Sequence, residues 1–557
     1  MSSCGEALIA ALERRGVEVV FGIPGVHTLE LYRGLARSAI RHVSPRHEQG
    51  AAFMAAGYAR VSGRPGVCVL ITGPGVTNAA TGVASAYHDS QPVLVIASET
   101  ASGDAGRDRG ALHDLRDQRA LMASITGYSE TVRAPEQLEG ALERAFAVLE
   151  GRRPRPAYVG VPIDVLASEA PDPDAMQRSR RAAAEKTCAL NAAAGEARGP
   201  SKGHCPSPAN DVELERAAQL LQRAQRPLIL LGGGAIDAGE EALAISQATG
   251  APIATTINGK GAVPERHPAA LGATVALTPV FEEIESADVV LAAGTEFSEL
   301  DYYYQGRLPR ISGELIRIDS DPAQLRSGAP PAVALAGDAR TLLFRLARRL
   351  DSLGERDEGG GNACAAARAA ALRAELSWWE GAQRHFPVLD AIAAALPADA
   401  IVAADSTQLA YVANSYLHVE RPRSYLCPAG YGTLGPALPM AIGARIAAPR
   451  RPVCCLIGDG GLLFTLSELA SAAQLRIPLA IVLWNNHGYG EIADEMNRAG
   501  IPPIGIDASA PDFLQLARGL GCEAVRAAAL DRLPETIGRA FATDRPTLIE
   551  LPAEALD

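Results

Sequence analysis

The sequence predicts an α/β protein of three doubly wound, parallel-sheet domains. Two observations carry that prediction. Short apolar strands alternate with segments of helical period, the rhythm of a parallel sheet covered on both faces. At 557 residues the chain has room for roughly three units of ~150–200 residues, and two polar stretches divide it at the right places.

Residues 1–165 form the first unit. "EVVFGIPG", "GVCVLITGPG", "PVLVIAS" and "PAYVGVPID" read as strands, apolar runs bounded by turn residues. "GEALIAALERRGV", "EQGAAFMAAGYARVSG" and "NAATGVASAYHDS" have helical spacing. Residues 166–210 are small, polar and rich in proline and glycine, and predict a long linker with a short helix in its middle. Residues 211–345 form the second unit, with strands in "RPLILLGGGA", "APIATTINGKGAVPE", "ADVVLAAGT" and "ELIRIDSDP". Residues 346–379 predict a second linker and a helix. Residues 380–557 form the third unit, with strands in "AIVAADST", "RPVCCLIGDGG", "PLAIVLWNN" and "PTLIELP". The first and third units share a rhythm.

A net charge of -12 disfavours nucleic acid and anionic membrane as partners. The nine cysteines are scattered and contain no CxxC pair, which predicts a reduced, cytoplasmic protein. Cys454 and Cys455 sit in an apolar run and read as packing residues. The N-terminus lacks the basic segment and apolar core of a signal peptide, and no apolar run is long enough to span a bilayer.

Chemistry is concentrated in two places on the third unit. "GDGG", Gly458 to Gly461, follows a strand directly. Glycines admit close backbone approach, a helix start supplies N–H groups, and Asp459 can hold a divalent cation beside a phosphate. Between Gly460 and Asn485 lie 24 residues, enough for a helix and the strand "PLAIVLW". A right-handed crossover of that length returns the chain beside its start. Asn485 and Asn486 then share a sheet edge with Asp459. A carboxylate oxygen of Asp459, an amide oxygen of Asn486 and the Gly488 carbonyl can contribute to the oxygen shell of Mg2+. The expectation is that the two amides are held by a metal and its diphosphate rather than by the sheet.

"GDG", 24 residues, then "NN" resembles the cofactor signature of thiamine diphosphate enzymes. "PRHEQGAAFMAAGYARVSGRPGV", "TGPGVTN", "TTINGKGAVPERHP" and "GYGTLGPALPMAIGA" resemble stretches of the acetolactate synthase-like branch. The resemblance covers nearly all of the chain outside the linkers. It implies pyrimidine-binding, central and diphosphate-binding domains in that order, with thiamine diphosphate and Mg2+ as cofactors. Glu48 matches the glutamate that bonds the aminopyrimidine ring and promotes proton loss from the thiazolium C2. Leu434 matches the apolar wedge that bends the cofactor, and Gly432 a backbone contact to the pyrimidine. Pro24, Gly25, Thr72, Asn78, Gly458, Gly460, Gly461 and Tyr489 fall in cofactor-contact stretches. Ser406 and Thr407 fall where the family binds diphosphate, although local turn capping explains them equally well. The family builds its site between subunits, so a homodimer or homotetramer is expected. FAD is raised by "LLGGGA" and "GTEFSELDYYYQGRLP", but glycine turns after strands are common and flavin is not the expectation.

The resemblance implies attack on a 2-oxo acid and loss of carbon dioxide; the pocket chooses which acid. His27 and His113 align near that pocket, as proton shuttles or as turn histidines bonding backbone. Acetolactate synthases carry apolar residues and a tryptophan after the asparagines, whereas this chain has "GYGEIADEM". Glu491 and Glu495 are four apart and share a helix face. They read either as a solvated helix end or as a site for a cation, for which a guanidinium fork is the natural partner. The pattern resembles decarboxylases of 5-guanidino-2-oxopentanoate; the alternative is an acetolactate synthase-type carboligase joining two 2-oxo acids.

Overall fold

The structure, a computed structural model, describes residues 2–107, 109–170, 208–354, 361–507 and 511–553. It contains three six-stranded sheets, every strand paired parallel to its neighbours. The first holds β1 (Val19–Gly22), β2 (Arg41–Val43), β3 (Gly66–Leu70), β4 (Val93–Glu99), β5 (Tyr128–Thr131) and β6 (Ala157–Pro162), in the order β2-β1-β3-β4-β6-β5. The central sheet holds β7 (Pro227–Leu231), β8 (Ile253–Thr255), β9 (Ala270–Gly272), β10 (Val289–Ala293), β11 (Glu314–Asp319) and β12 (Val333–Ala336), ordered β12-β11-β10-β7-β8-β9. The third holds β13 (Ile401–Ala404), β14 (Tyr425–Leu426), β15 (Val453–Gly458), β16 (Ala480–Asn485), β17 (Glu523–Arg526) and β18 (Thr547–Pro552), ordered β14-β13-β15-β16-β18-β17. The first and third sheets therefore have the same strand order, matching their shared sequence rhythm.

Both faces of each sheet are covered. Along β3, Cys68 and Leu70 feed one apolar cluster while Val67 and Val69 feed another. Along β15, Cys455 and Ile457 point one way and Cys454 and Leu456 the other. The adjacent cysteines thus pack on opposite faces, as a period of two requires. In the central sheet, Ile229 and Leu231 oppose Leu228 and Leu230 in the same manner.

The first and third domains share one core. Helix α1 (Glu48–Ser62) crosses helix α2 (Ala437–Ala447), and both are apolar nearly all round. Two glycines permit the crossing. A Cβ on Gly57 would lie 2.3 Å from the Met440 carbonyl, and one on Gly443 2.0 Å from that of Met54.

Most of the linker expected over 166–210, including the short helix in its middle, lies outside the described residues. At its ends, helix Ile163–Ala167 closes the first domain, and helix Pro208–Arg223 opens the central one. Beyond 346, helix Ala339–Leu353 belongs to the central domain, and helix Gly361–Ala374 packs Ala369 and Leu372 onto its sheet. No helix among the described residues is long and apolar enough to cross a membrane.

Candidate active site

In doubly wound sheets, ligands bind outside the carboxyl ends of the strands where the strand order reverses. In the third sheet that point lies between β13 and β15. β15 delivers "GDGG" there and β13 delivers "DST". The glycines are required by what presses on them. An added Cβ would lie 2.8 Å from Thr407 Oγ1 at Gly458, 2.7 Å from the Tyr489 ring at Gly460, and 2.9 Å from Asp405 Oδ1 at Gly461.

Asp459 opens helix α3 (Asp459–Thr465) and is 2% exposed. Burial pushes its carboxyl above the ordinary aspartate range. Its Oδ2 is buried without a hydrogen-bond partner. Asn486, one residue past β16, turns its amide toward it. As placed, Nδ2 donates to Gln408 Oε1 at 3.3 Å. The amide oxygen then faces two acceptors, the Gly488 carbonyl at 2.8 Å and Asp459 Oδ1 at 3.0 Å. Turning the amide over would convert both contacts into hydrogen bonds. A cation resolves the crowding in the other way. Adjacent ligands of an octahedral Mg2+ at ~2.05 Å are separated by about 2.9 Å, the spacing of these oxygens. The orphaned Oδ2, which a turned amide leaves unsatisfied, fits the cation.

Asn485 behaves differently from the expectation. Its Nδ2 donates to Glu550 Oε1 on the neighbouring β18 at 2.8 Å, and its Oδ1 accepts from the His487 N–H at 3.2 Å. This amide is held by the sheet and its exit turn. Only one of the two asparagines faces Asp459, because successive residues of an extended chain point in opposite directions.

Asp405, which the sequence reading passed over, organises the neighbouring loop. It is 1% exposed and accepts hydrogen bonds from the N–H groups of Ser406, Gly435 and Ala437. Burial pushes its carboxyl up to about 6. The clamp fixes the turn that carries Gly432, at φ 65°, and half-buried Leu434. Ser406 Oγ donates to the Thr433 carbonyl at 3.1 Å, stapling the same loop. Thr407 precedes helix Gln408–Tyr416 without a side-chain capping bond.

The other candidates gather at the first sheet's reversal point, between β1 and β3. Pro24 is exposed after β1, and Gly25 donates its N–H to Thr28 Oγ1 at 3.0 Å. Thr72, after β3, is 1% exposed; Gln118 Oε1 accepts from its hydroxyl at 2.9 Å and from the Gly73 N–H at 2.8 Å. Glu48 begins α1, half-buried, and its Oε2 accepts from Asn78 Nδ2 at 2.9 Å. His27 and His113 meet edge to face, with ring centroids 5.1 Å apart, and each has a buried Nδ1 without a partner. Burial, then the neighbouring His113, holds His27 below the usual histidine range.

Glu491 and Glu495 share helix α4 (Gly490–Arg498), which buries none of its residues. Arg498 of the same helix lies between them, its Nη2 2.9 Å from Glu495 Oε1 and 3.6 Å from Glu491 Oε1. Glu491 is the more sheltered, and burial pushes its carboxyl upward. Asp494, between them in sequence, instead accepts from Gln408 Nε2 at 2.9 Å.

Three family models match this chain. Residues 2–121 match the thiamine pyrophosphate enzyme N-terminal TPP-binding domain, 214–346 its central domain and 405–551 its C-terminal TPP-binding domain. A protein of Pseudomonas aeruginosa named "Probable 2-ketoarginine decarboxylase AruI" is 47% identical over 99% of this chain and 94% of its own. This chain belongs to the thiamine pyrophosphate enzyme family. More distant relatives of this thiamine pyrophosphate enzyme are acetolactate synthases. A probable large subunit from Methanocaldococcus jannaschii is 31% identical over 99% of the chain and 92% of its own, and the isozyme 1 large subunit of Escherichia coli 29% over 93% and 88%. The enzyme is a thiamine diphosphate-dependent 2-oxo acid decarboxylase. Its two cofactor-binding domains are the first and third sheets, whose reversal points hold the residues described above.

Proposed function

We propose that this enzyme decarboxylates 5-guanidino-2-oxopentanoate to 4-guanidinobutanal and carbon dioxide without oxidation. The observation that carries the substrate is the pair Glu491 and Glu495. The chain's own Arg498 guanidinium sits against both carboxylates, so the pair accommodates the group that the substrate would present. The relative named for 2-ketoarginine supports the same choice.

When bound, thiamine diphosphate supplies a carbon nucleophile and an electron sink for the bond that carbon dioxide leaves. The residues around it have separable tasks. Asp459, Asn486 and the Gly488 carbonyl would hold Mg2+, which would supply positive charge for the diphosphate. Gly458, Gly460 and Gly461 let backbone approach the phosphates, with Thr407 beside them and Tyr489 closing the side. Gly432 would meet the pyrimidine through its backbone, and the Leu434 side chain would pack against the cofactor rings. Glu48, held by Asn78, would face the aminopyrimidine and hold a proton at its carboxyl as the acid–base partner of that ring. Pro24, Gly25 and Thr72 shape the wall beside it. The contacting pair His27 and His113 moves protons at the substrate carbon. Overall the reaction is redox-neutral and calls for no electron transfer through a flavin.

The working unit in this reading is at least a homodimer, with the first domain of one chain facing the third of another. Exposed apolar side chains border both halves: Val26, Leu29 and Leu112 on the first domain, Tyr431, Leu463 and Phe464 on the third. The seven described cysteines are all free thiols, in keeping with a cytoplasmic setting. A panel of 2-oxo acids, read for gas evolution and for coupled products, tests the proposal. The guanidino acid should give the highest kcat/KM and an aldehyde. Efficient joining of two pyruvates would instead identify a carboligase.

A further inference from the structure

Glu468 belongs to the third domain, opening helix Glu468–Leu475 nine positions beyond Asp459, yet its carboxylate serves the first domain. It is fully buried. Oε1 accepts from the backbone N–H groups of Arg46 and His47, both at 3.0 Å. Oε2 accepts from Ser471 Oγ at 2.6 Å and lies 3.2 Å from the Arg46 nitrogen. The same helix also holds the Arg46 side chain, whose Nη2 donates to Gln474 Oε1 at 2.5 Å. Gly50 makes room for the acid, since a Cβ there would lie 2.4 Å from Oε1. A buried carboxylate is tolerated only when its oxygens are satisfied, and here the donors are the two N–H groups directly before Glu48. The acid also sits at the positive end of α1, where a negative charge is favoured.

We propose that Glu468 is a positioning residue for Glu48, fixing the start of α1 so that the Glu48 carboxyl is aimed at the cofactor. Among the described residues, no other hydrogen bond ties down the backbone N–H groups of Arg46 and His47. Without the Glu468 carboxylate the first turn of α1 loses its anchor to the third domain, while Asn78 still holds the Glu48 side chain only from the side. A shift of a catalytic group by about 1 Å lowers rate by up to ~10²-fold.

This inference rests on Glu48 acting at the cofactor, and the test separates the two. The bound-cofactor C2 hydrogen–deuterium exchange rate is measured by acid quench and NMR on loaded enzyme, alongside the melting temperature, for wild type, Glu48→Gln, Glu468→Ala, Glu468→Gln and Glu468→Asp. Glu468→Gln keeps an oxygen for the two N–H groups, and Ser471 can accept from its amide; exchange should stay within about threefold of wild type. Glu468→Ala should slow exchange about tenfold or more with cofactor still bound. Glu468→Asp, which withdraws the oxygens by one methylene, should also slow it. Wild-type exchange in Glu468→Ala, whatever its melting temperature, overturns the proposal; if that variant does not fold, wild-type exchange in Glu468→Asp does so. Wild-type exchange in Glu48→Gln would instead remove Glu48 from the mechanism, and this inference with it.

Discussion

Asp459 and Glu491 are acids of the same domain, offered at the same end of the same sheet, and the fold treats them in opposite ways. Asp459 is buried at the end of an inner strand, pressed between glycine backbone and Asn486, with one oxygen left unsatisfied. Glu491 lies on a helix that buries none of its residues, about a third exposed and already facing an arginine of its own helix. The first arrangement is rigid and incomplete; the second is loose and self-paired. That difference suits their proposed ligands. A cofactor that stays bound rewards a site organised in advance, whereas a substrate that must arrive and leave is met by an element with few packing ties.

The comparison can be broken first at the metal loop. Asp459→Ala removes a buried charged partner, an effect of about 3–5 kcal/mol. Thiamine diphosphate affinity, followed by fluorescence quenching, should fall at least ~10²-fold; unchanged affinity would take Asp459 out of the site. The substrate helix should respond less and more selectively. Glu491→Gln removes a charged hydrogen bond worth about 1.5–3 kcal/mol, so KM for 5-guanidino-2-oxopentanoate should rise ~10–100-fold. A neutral 2-oxo acid of similar length should be unaffected, and an equal loss for both would reject the cation site. pH sharpens the contrast. Burial raises Glu491, so it gains a proton, and loses its hold on a cation, at higher pH than an ordinary glutamate. On acidification KM for the guanidino acid should therefore rise in wild type before it would for an unperturbed carboxylate, and this step should vanish in Glu491→Gln. The smallest effect is expected at Arg498. Its ion pairs are exposed and contribute ~0.2–1 kcal/mol. Arg498→Gln should lower KM for the guanidino acid by ~1.5–5-fold, by removing an internal competitor; a raised KM would mean that Arg498 assists binding.

The twelve inner strands of the three sheets were legible as apolar runs, from "EVVFG" of β1 to "PTLIELP" of β18. The edge strands β2, β5, β9, β12, β14 and β17 were not. They are two to four residues long, and several are half-exposed, such as Tyr128–Thr131 and Glu523–Arg526, so no apolar run announces them. At the site, spacing located Asp459 and Asn486 because a crossover of fixed length brings two strand ends together. It could not separate Asn485 from Asn486, which depends on which way each side chain turns at the strand's end. Asp405, Gln408, Gln118 and Glu468 escaped because each has its defining partners far away in sequence. Glu468 reaches across 422 positions to Arg46, and no local pattern encodes that. Arg498 was overlooked although it is three residues from Glu495, a spacing that by itself predicts a pair on a helix.

The central claim is that the oxygens of Asp459, Asn486 and Gly488 hold a divalent cation together with the cofactor diphosphate. Mn2+ in place of Mg2+ makes this visible by electron paramagnetic resonance. The account predicts one tightly bound Mn2+ per chain when thiamine diphosphate is present, lost in Asp459→Ala. The same bound signal in Asp459→Ala, or no bound Mn2+ in the cofactor-loaded wild type, would contradict it.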